Sequence, residues 1–362
     1  MKIAVFARSL WRKSSGRGAL ARELLEGMVR SSDPPEIELF AGEEVGLNRC
    51  RFHRARGTGY LSDVWRVFRG IAGEVKDLRP DIIWGTTHFL PRGLPPDLPK
   101  VTTLLDLVWK DHPETLPRLN RLASGWLERG LWESTQILCI SNFTRDRLRA
   151  YWPTLAERAT VIPLAANPRL HVPGNSAEIL ANFGLKGDYI LNVDTFEPRK
   201  NLRLLLQVMS RFPQLTLVHC GHVGWNVDQD LAFARTLENV RLLGYVDEES
   251  LGALYANARL AVFPSTYEGF HLAPLDALSL GTPVLVSDIP VHREVLGEAA
   301  LYFEAGSAGD LESKIAALAG RGVERERLAD LGRKRAATYS WDTSAHRVLD
   351  ALQGAASRQT PR

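Results

Sequence analysis

Three cysteines in 362 residues, Cys50, Cys139 and Cys220, are too few and too dispersed for a disulfide framework or a zinc site. Cys139 and Cys220 also lie in apolar surroundings, which suits a reducing compartment. Long apolar runs are missing too. No window reaches the ~18 apolar residues that a membrane span needs, and MKIAVFARSLWRK breaks at Arg8 after too short a run for a signal peptide. The expectation is a soluble, cytoplasmic protein. Internal repeats and low-complexity tracts are lacking. A net charge of +3 gives no reason to expect a nucleic-acid partner. What is present is an ordinary globular composition, 45% hydrophobic and 24% charged, in a chain long enough for two cores.

The charge is uneven along the chain. Residues 1–175 hold 26 Lys/Arg against 19 Asp/Glu, and residues 176–362 hold 19 against 23. A basic first half suits an anionic partner, either an acidic lipid surface or a phosphate-bearing acceptor, and it equally suits a solvated surface with no partner. In RLNRLASGWLERGLW, Arg118, Arg121 and Arg129 accompany Trp126 and Trp132. That helix either rests on an anionic membrane face or packs on a sheet through its tryptophans.

Short apolar strands (KIAVFA, IELFAG, DIIWGT, VTTLLDL, TQILCIS) alternate with amphipathic stretches such as GALARELLEGMVR and LSDVWRVFRGIAGEVKDL. Such alternation predicts a parallel sheet with helices on both faces. After the proline-rich TVIPLAANPRLHVPGN the pattern restarts with YILNVDT, RKNLRLLLQVMSRF, LTLVHCG, VRLLGYV, ARLAVFPS and TPVLVSD. The prediction is an α/β protein of two doubly wound, Rossmann-like domains, 1–170 and 171–338, facing each other across a cleft. A last helix, 339–362, would have Asp342 or Thr343 as its cap. Ligands bind such sheets at the C-terminal ends of their strands.

Two stretches carry the chemistry. In VDTFEPRKNL a strand ends near Asp194 and a helix begins near Asn201, with Arg199 and Lys200 side by side between them. Adjacent cations at a strand end can clamp a diphosphate, the guanidinium forking onto two oxygens. Cations at a helix start oppose its dipole, so something else must favour them. In TYEGFHLAPLDALSLG a turn over Thr266–Phe270 leads into a helix predicted from His271 to Leu280, whose first N–H groups, at Gly269, Phe270, His271 and Leu272, form an anion site. Glu268 stands ahead of that terminus, where it can accept sugar hydroxyls. Asp276, eight positions later, can accept a ribose hydroxyl pair. Taken singly, Glu268 also reads as a capping carboxylate and Asp276 as a helix-surface residue.

Together these stretches resemble the nucleotide-sugar glycosyltransferases of family 4, with the two-domain GT-B fold. SGRGALAREL is similar to the family's glycine loop, ISNFTRDRL to its last N-domain strand and helix, and VDTFEPRKNL to its E-P-R-K-N signature. GHVGW, VRLLGYVDEESLGALY, FPSTYEGFHLAPLDALSLGTPVLVSD and REVLGEAALYFE continue the likeness in order. The resemblance implies an acceptor-binding N-terminal domain, a donor-binding C-terminal domain and a last helix crossing back to the first. It implies catalytic roles for Arg199 and Lys200 on the diphosphate and for Glu268 at the transferred sugar. Asp276 would take the ribose, and Gly269, Phe270, His271 and Leu272 would meet phosphate and sugar. The backbone at Tyr245 and Val246 would face the base, and Gly16 and Gly18 would let the first loop approach the donor. The implied enzyme is a retaining, metal-independent hexosyltransferase with no cofactor beyond its nucleotide sugar. Its acceptor would be a saccharide or lipid-linked glycan of surface polysaccharide synthesis, with room for peripheral contact with the inner face of the membrane. Asp228-Gln-Asp230 follows a loop rather than a buried strand end and reads as surface.

The departures are informative. The family usually has Glu where Asp276 stands, Gly where Asp194 and His271 stand, and Pro where Ala273 stands. A carboxylate at 194 would repel phosphate unless Arg199 or Lys200 intervened. In place of the usual His-Asp-Leu there is Leu105-Asp106-Leu107, and leucine cannot bond a sugar 6-hydroxyl but suits a 6-methyl group. The expected sugar is therefore mannose or a 6-deoxyhexose such as rhamnose, and likeness to the family's mannosyltransferases of surface polysaccharides implies a GDP-linked donor. Three other readings compete. Gly16-Arg-Gly18-Ala-Leu-Ala21 matches a nicotinamide-cofactor fingerprint, but SLWRKSSG separates it from its strand. Glu268 and Asp276 could be a glycosidase pair, poorly placed to flank one bond. The third is a GT-B nucleotide-sugar-binding protein that has lost turnover.

Overall fold

The computed structural model describes all residues except 8–9, 11–15, 43, 45, 48, 56–69, 118–123, 319–321 and 359–362. The chain divides into two compact units, one of Met1–Leu107, Leu122–Leu164 and Ser340–Arg362, the other of Val108–Arg121 and Ala165–Tyr339.

The first unit is built on β1 (Lys2–Phe6), β2 (Glu36–Ala41), β3 (Cys50–Arg54), β4 (Ile82–Gly85), β5 (Lys100–Leu104), β6 (Gln136–Cys139) and β7 (Ala159–Val161). All pair in parallel, in the order β3-β2-β1-β4-β5-β6-β7. Ile3, Ala4, Val5 and Phe6 are fully buried, as expected of a strand covered on both faces. The terminal helix, Trp341–Ser357, packs against the Gly16–Arg30 helix. Their contact depends on Gly27, where an added Cβ would lie 2.6 Å from that of Ala345. The cap of this helix is Ser340, which accepts the Thr343 N–H at 3.4 Å, rather than Asp342 or Thr343. Asp342 instead pairs with Arg30 at 2.7 Å.

The second unit repeats the plan with β8 (Tyr189–Val193), β9 (Thr216–Cys220), β10 (Val240–Gly244), β11 (Leu260–Phe263), β12 (Val284–Ser287) and β13 (Leu301–Phe303), in the order β10-β9-β8-β11-β12-β13. The helix Leu202–Met209 buries Leu202, Leu204, Leu205, Leu206, Val208 and Met209 against this sheet's core. Strand order reverses at β8 and β11, which pair directly, so the loops leaving their C-terminal ends flank the position where open α/β sheets take ligands.

Gly221 fixes the path of the loop after β8. It has φ 148°, and a Cβ there would fall 1.8 Å from the Asp194 carbonyl oxygen. The Asp194 N–H in turn donates to the Cys220 carbonyl at 3.0 Å. Gly221→Ala is expected to destabilise the second unit by about 1–3 kcal/mol, the usual cost of forcing atoms into a packed site. Urea titration followed by tryptophan fluorescence measures it.

Candidate active site

Between β8 and the Leu202 helix the chain makes a separate 3₁₀ turn, Pro198–Lys200, closed by Asn201 in the left-handed region at φ 51°. Arg199 and Lys200 therefore do not open an α-helix, and the dipole conflict anticipated from the sequence does not arise. The cause of their placement is a set of carboxylates. Arg199 Nη1 donates to Glu268 Oε2 at 2.5 Å and to the Tyr267 carbonyl at 2.9 Å, and Nη2 lies 2.8 Å from Glu197 Oε1. Lys200 Nζ lies 2.5 Å from Asp194 Oδ1 and 2.6 Å from Glu268 Oε1. Thr266 reinforces the junction, its N–H and hydroxyl both donating to the Arg199 carbonyl. The loops after β8 and β11 are thus stitched together by charge and by backbone.

Both cations and all three acids are largely buried, with side-chain exposures from 6 to 17%. Burial pushes the Glu268 carboxyl up, but Arg199, Lys200 and His271 outweigh it and hold it well below the usual range. Burial also opposes ionisation of Asp194, which Lys200 and His271 nevertheless hold low. Burial would strip the Lys200 proton, and Asp194 and Glu268 retain it, raising its pKa. Glu197 is pushed up by burial, which Arg199 only partly offsets. Glu268 is therefore an anion that accepts hydrogen bonds, not a proton donor.

His271 occupies the left-handed region at φ 74° and precedes the helix, which runs Leu272–Ser279 rather than from His271. Gly269, Phe270 and His271 lie in the buried turn before it. With Pro274 in its first turn the helix offers fewer N–H groups than the sequence reading supposed, mainly those of Leu272 and Ala273. The His271 ring reaches back, Nε2 3.2 Å from Asp194 Oδ2 and Nδ1 2.9 Å from His292 Nε2. Asp194, Glu268 and His271 bring potential ligand atoms within 4.8 Å of one another. The Lys200 ammonium bridges the two carboxylates of that group.

Asp276, in the second turn, accepts the Asn167 N–H on Oδ1 at 2.7 Å. Burial pushes its carboxyl up to about 7, the Asn167 N–H pulling down and Glu248 pushing further up. At the ends of β9 and β10, Tyr245 is 57% exposed and stacks on His222, with centroids 5.4 Å apart and planes 7° apart. Val246 follows, partly buried. The structure thus gathers Asp194, Arg199, Lys200, Glu268 and His271 into one network. Leu105 and Asp106 are partly buried just beyond β5 in the first unit, and Gly16 and Gly18 open that unit's first helix. Of the basic helix with Trp126 and Trp132, Arg118 and Arg121 lie outside the described residues, and Trp132 is 49% exposed. Asp228 and Asp230 lie in the first turn of Asp228–Thr236, where Asp230 approaches Arg203 at 3.6 Å.

The sequence reading missed the part played by the segment around His112. Its ring lies 5.1 Å from that of Tyr267, and Trp225 Nε1 donates to the Thr115 carbonyl at 2.8 Å. Glu197 and His292 were also missed. Glu197 was visible inside the E-P-R-K-N motif, whereas nothing in the sequence flags His292.

A family model described as "Glycosyl transferases group 1" matches residues 179–335, and one described as "Glycosyltransferase Family 4" matches residues 27–170. Between them they take in most of the chain. The "O-antigen chain mannosyltransferase B" of Escherichia coli is 29% identical over 386 residues, covering 98% of this chain and 100% of that protein. Among solved structures, sucrose-phosphate synthase from Thermosynechococcus elongatus aligns with TM-score 0.80 at 18% identity, over 98% of both chains. WaaG, described as a glycosyltransferase involved in lipopolysaccharide biosynthesis, aligns with TM-score 0.78 at 16% identity, over 98% of this chain and 100% of its own. The two parallel sheets and these neighbours define a GT-B fold. The chain belongs to the family 4 glycosyltransferases.

Folding raises the Asp276 carboxyl from 3.8 to about 7, so ionising it costs the folded state. The stability tied to its proton is intact below about pH 4 and is lost as pH rises through about 7. Asp276→Asn keeps an oxygen for the Asn167 N–H without the charge. Its melting temperature is expected to exceed the native protein's at about pH 8, with the gap closing towards pH 4. Calorimetry at both ends of that range checks it.

Proposed function

We propose that the chain is a retaining, metal-independent hexosyltransferase that moves mannose, or a 6-deoxyhexose such as rhamnose, from a GDP-linked donor to a saccharide or lipid-linked glycan of surface polysaccharide synthesis. The observation that carries the reading is the pairing of Arg199 and Lys200 with the turn and helix start after β11, at the point where the strand order reverses. Support for mannose comes from the full-length likeness to an O-antigen mannosyltransferase. Leu105 is the feature that favours a 6-methyl sugar.

In this mechanism the donor's diphosphate competes with Glu268 for the same two cations. Arg199 and Lys200 stabilise charge that grows on the leaving phosphate as the glycosidic bond breaks, in a site too buried for water to screen. Displaced from its ion pairs, Glu268 accepts hydroxyls of the sugar. The acceptor oxygen bonds to the anomeric carbon on the face the phosphate leaves, and the leaving phosphate oxygen takes the acceptor's proton. Asp276 keeps one oxygen on Asn167 and turns the other to the ribose. The exposed Tyr245 lies where the base is expected. The Lys200 ammonium supplies the charge a metal would, so turnover is expected to survive chelators. No helix among the described residues is long and apolar enough to cross a membrane, and any membrane contact in this reading is peripheral.

The setting of the two carboxylates weighs against the glycosidase reading. Both Glu268 oxygens are engaged by cations and Asp276 by a backbone N–H, an unsuitable setting for a glycosidase acid and nucleophile.

Arg199→Ala is expected to cost about 3 kcal/mol in the barrier, more than about a hundredfold in kcat. A variant retaining a third of native turnover makes Arg199 a structural cation only. Donor choice is read by comparing kcat/KM for GDP-mannose and GDP-rhamnose in the native enzyme and in Leu105→His. A pocket gaining one hydrogen bond should shift the ratio towards mannose by up to ~10². An unchanged ratio removes Leu105 from the sugar pocket.

A further inference from the structure

Asp194 and His271 are 77 positions apart, on the loops after β8 and β11, and their side chains meet. Hydrogen bonds around them fix where the protons are. His292 Nδ1 faces the Ser287 carbonyl at 2.8 Å, and a carbonyl only accepts, so that nitrogen carries its hydrogen. Burial, with His271 beside it, pushes His292 down to about 3, so the ring is neutral and its Nε2 is an acceptor. His271 Nδ1, 2.9 Å from that acceptor, must donate. His271 Nε2 faces the Asp194 carboxylate at 3.2 and 3.3 Å and must donate as well. A ring with both nitrogens donating is an imidazolium.

Among the described contacts, Asp194, Glu197 and Glu268 oppose Arg199 and Lys200, and an imidazolium at His271 adds a third cation against the three acids. Its ring is 3% exposed and is seated edge-on against Phe263, with centroids 5.2 Å apart. A histidine in the left-handed region is held there against its backbone preference. The contacts to Asp194 and His292 supply the compensation.

We propose that Asp194 and His271 are a single positioning device. The imidazolium draws the Asp194 carboxylate back on one side while the Lys200 ammonium binds it on the other, so that the carboxylate orients Lys200 instead of repelling the donor's diphosphate. The device extends the diphosphate reading above to residues that need not touch the donor. Removing one member is worse than removing both. Asp194→Gly removes the acceptor that keeps His271 doubly protonated and leaves Lys200 without the carboxylate that orients it. His271→Gly leaves an anion at the diphosphate subsite. The double variant removes both side chains and puts at 271 a residue content with positive φ.

Two measurements test this. In ¹⁵N-histidine spectra of the native protein at about pH 7, His271, assigned through His271→Gly, should show two protonated ring nitrogens, and His292, assigned through His292→Gln, one on Nδ1. A lone-pair nitrogen on His271 overturns the proposal. GDP titration of the native protein, both single variants and the double variant then measures coupling. Each single change should weaken binding about tenfold or more, with the double variant recovering to within about threefold of native, the mark of strongly coupled neighbours. Losses that simply add would overturn it. The spectra need no ligand, so a diphosphate that bound elsewhere would sink the functional reading and leave the two-proton His271 result standing.

Discussion

One ammonium holds together the loops that leave β8 and β11 in the second unit. Lys200 lies between two carboxylates from different loops, close enough that it helps hold both acids below their usual range and that neither loop can drift without exposing an unpaired charge. Removing one partner of such a buried group costs far more than the pair itself contributes, because the survivor is left charged and dry. The arrangement therefore specifies geometry more than it supplies stability. Arg199 repeats the pattern with Glu197 and Glu268, and the Thr266 backbone closes the seam. A site whose cations are already oriented needs little rearrangement when an anion competes for them, which is the condition for electrostatic catalysis.

Much of this was legible in the sequence because parallel strands buried on both faces leave unbroken apolar runs. IAVF, LAVF and VLVS announced β1, β11 and β12, and strands alternating with helical stretches gave the doubly wound plan. The strands that pattern reading missed, β3, β7 and β13, lie at sheet edges. The CRFHR of β3 alternates polar and apolar because one side faces water, and β7 and β13 are only three residues long. The restart after the proline-rich stretch was visible, but the attachment of 108–121 to the second unit was not. That attachment is made by a tryptophan N–H on a backbone carbonyl and by a histidine against a tyrosine, contacts with no periodicity.

In the site, residue identities were readable and their pairing was not. Two adjacent cations and a carboxylate before a helix invite a ligand, but which charges neutralise which depends on the loops after β8 and β11 being neighbours in the sheet. Asp194 and His271 looked like two separate oddities, one an acid near phosphate and the other a bulky residue where glycine is usual. In three dimensions each explains the other. The start of the helix after β11 was misjudged by one residue because a histidine at φ 74° is not what sequence propensity anticipates. That shift moves His271 out of the helix and into the turn that already held Gly269 and Phe270.

The first unit is assembled from three separate pieces of chain, and its third piece, the helix seated on Gly27, follows the second unit in the sequence. The second unit interrupts it and is complete before that helix exists. During synthesis the earlier sheet must wait with an apolar flank open, and the buried Ala345, Val348 and Leu352 are what finally cover it. Nascent-chain vulnerability to aggregation and proteolysis thus falls on the first unit's sheet and lasts until the Trp341–Ser357 helix has been made.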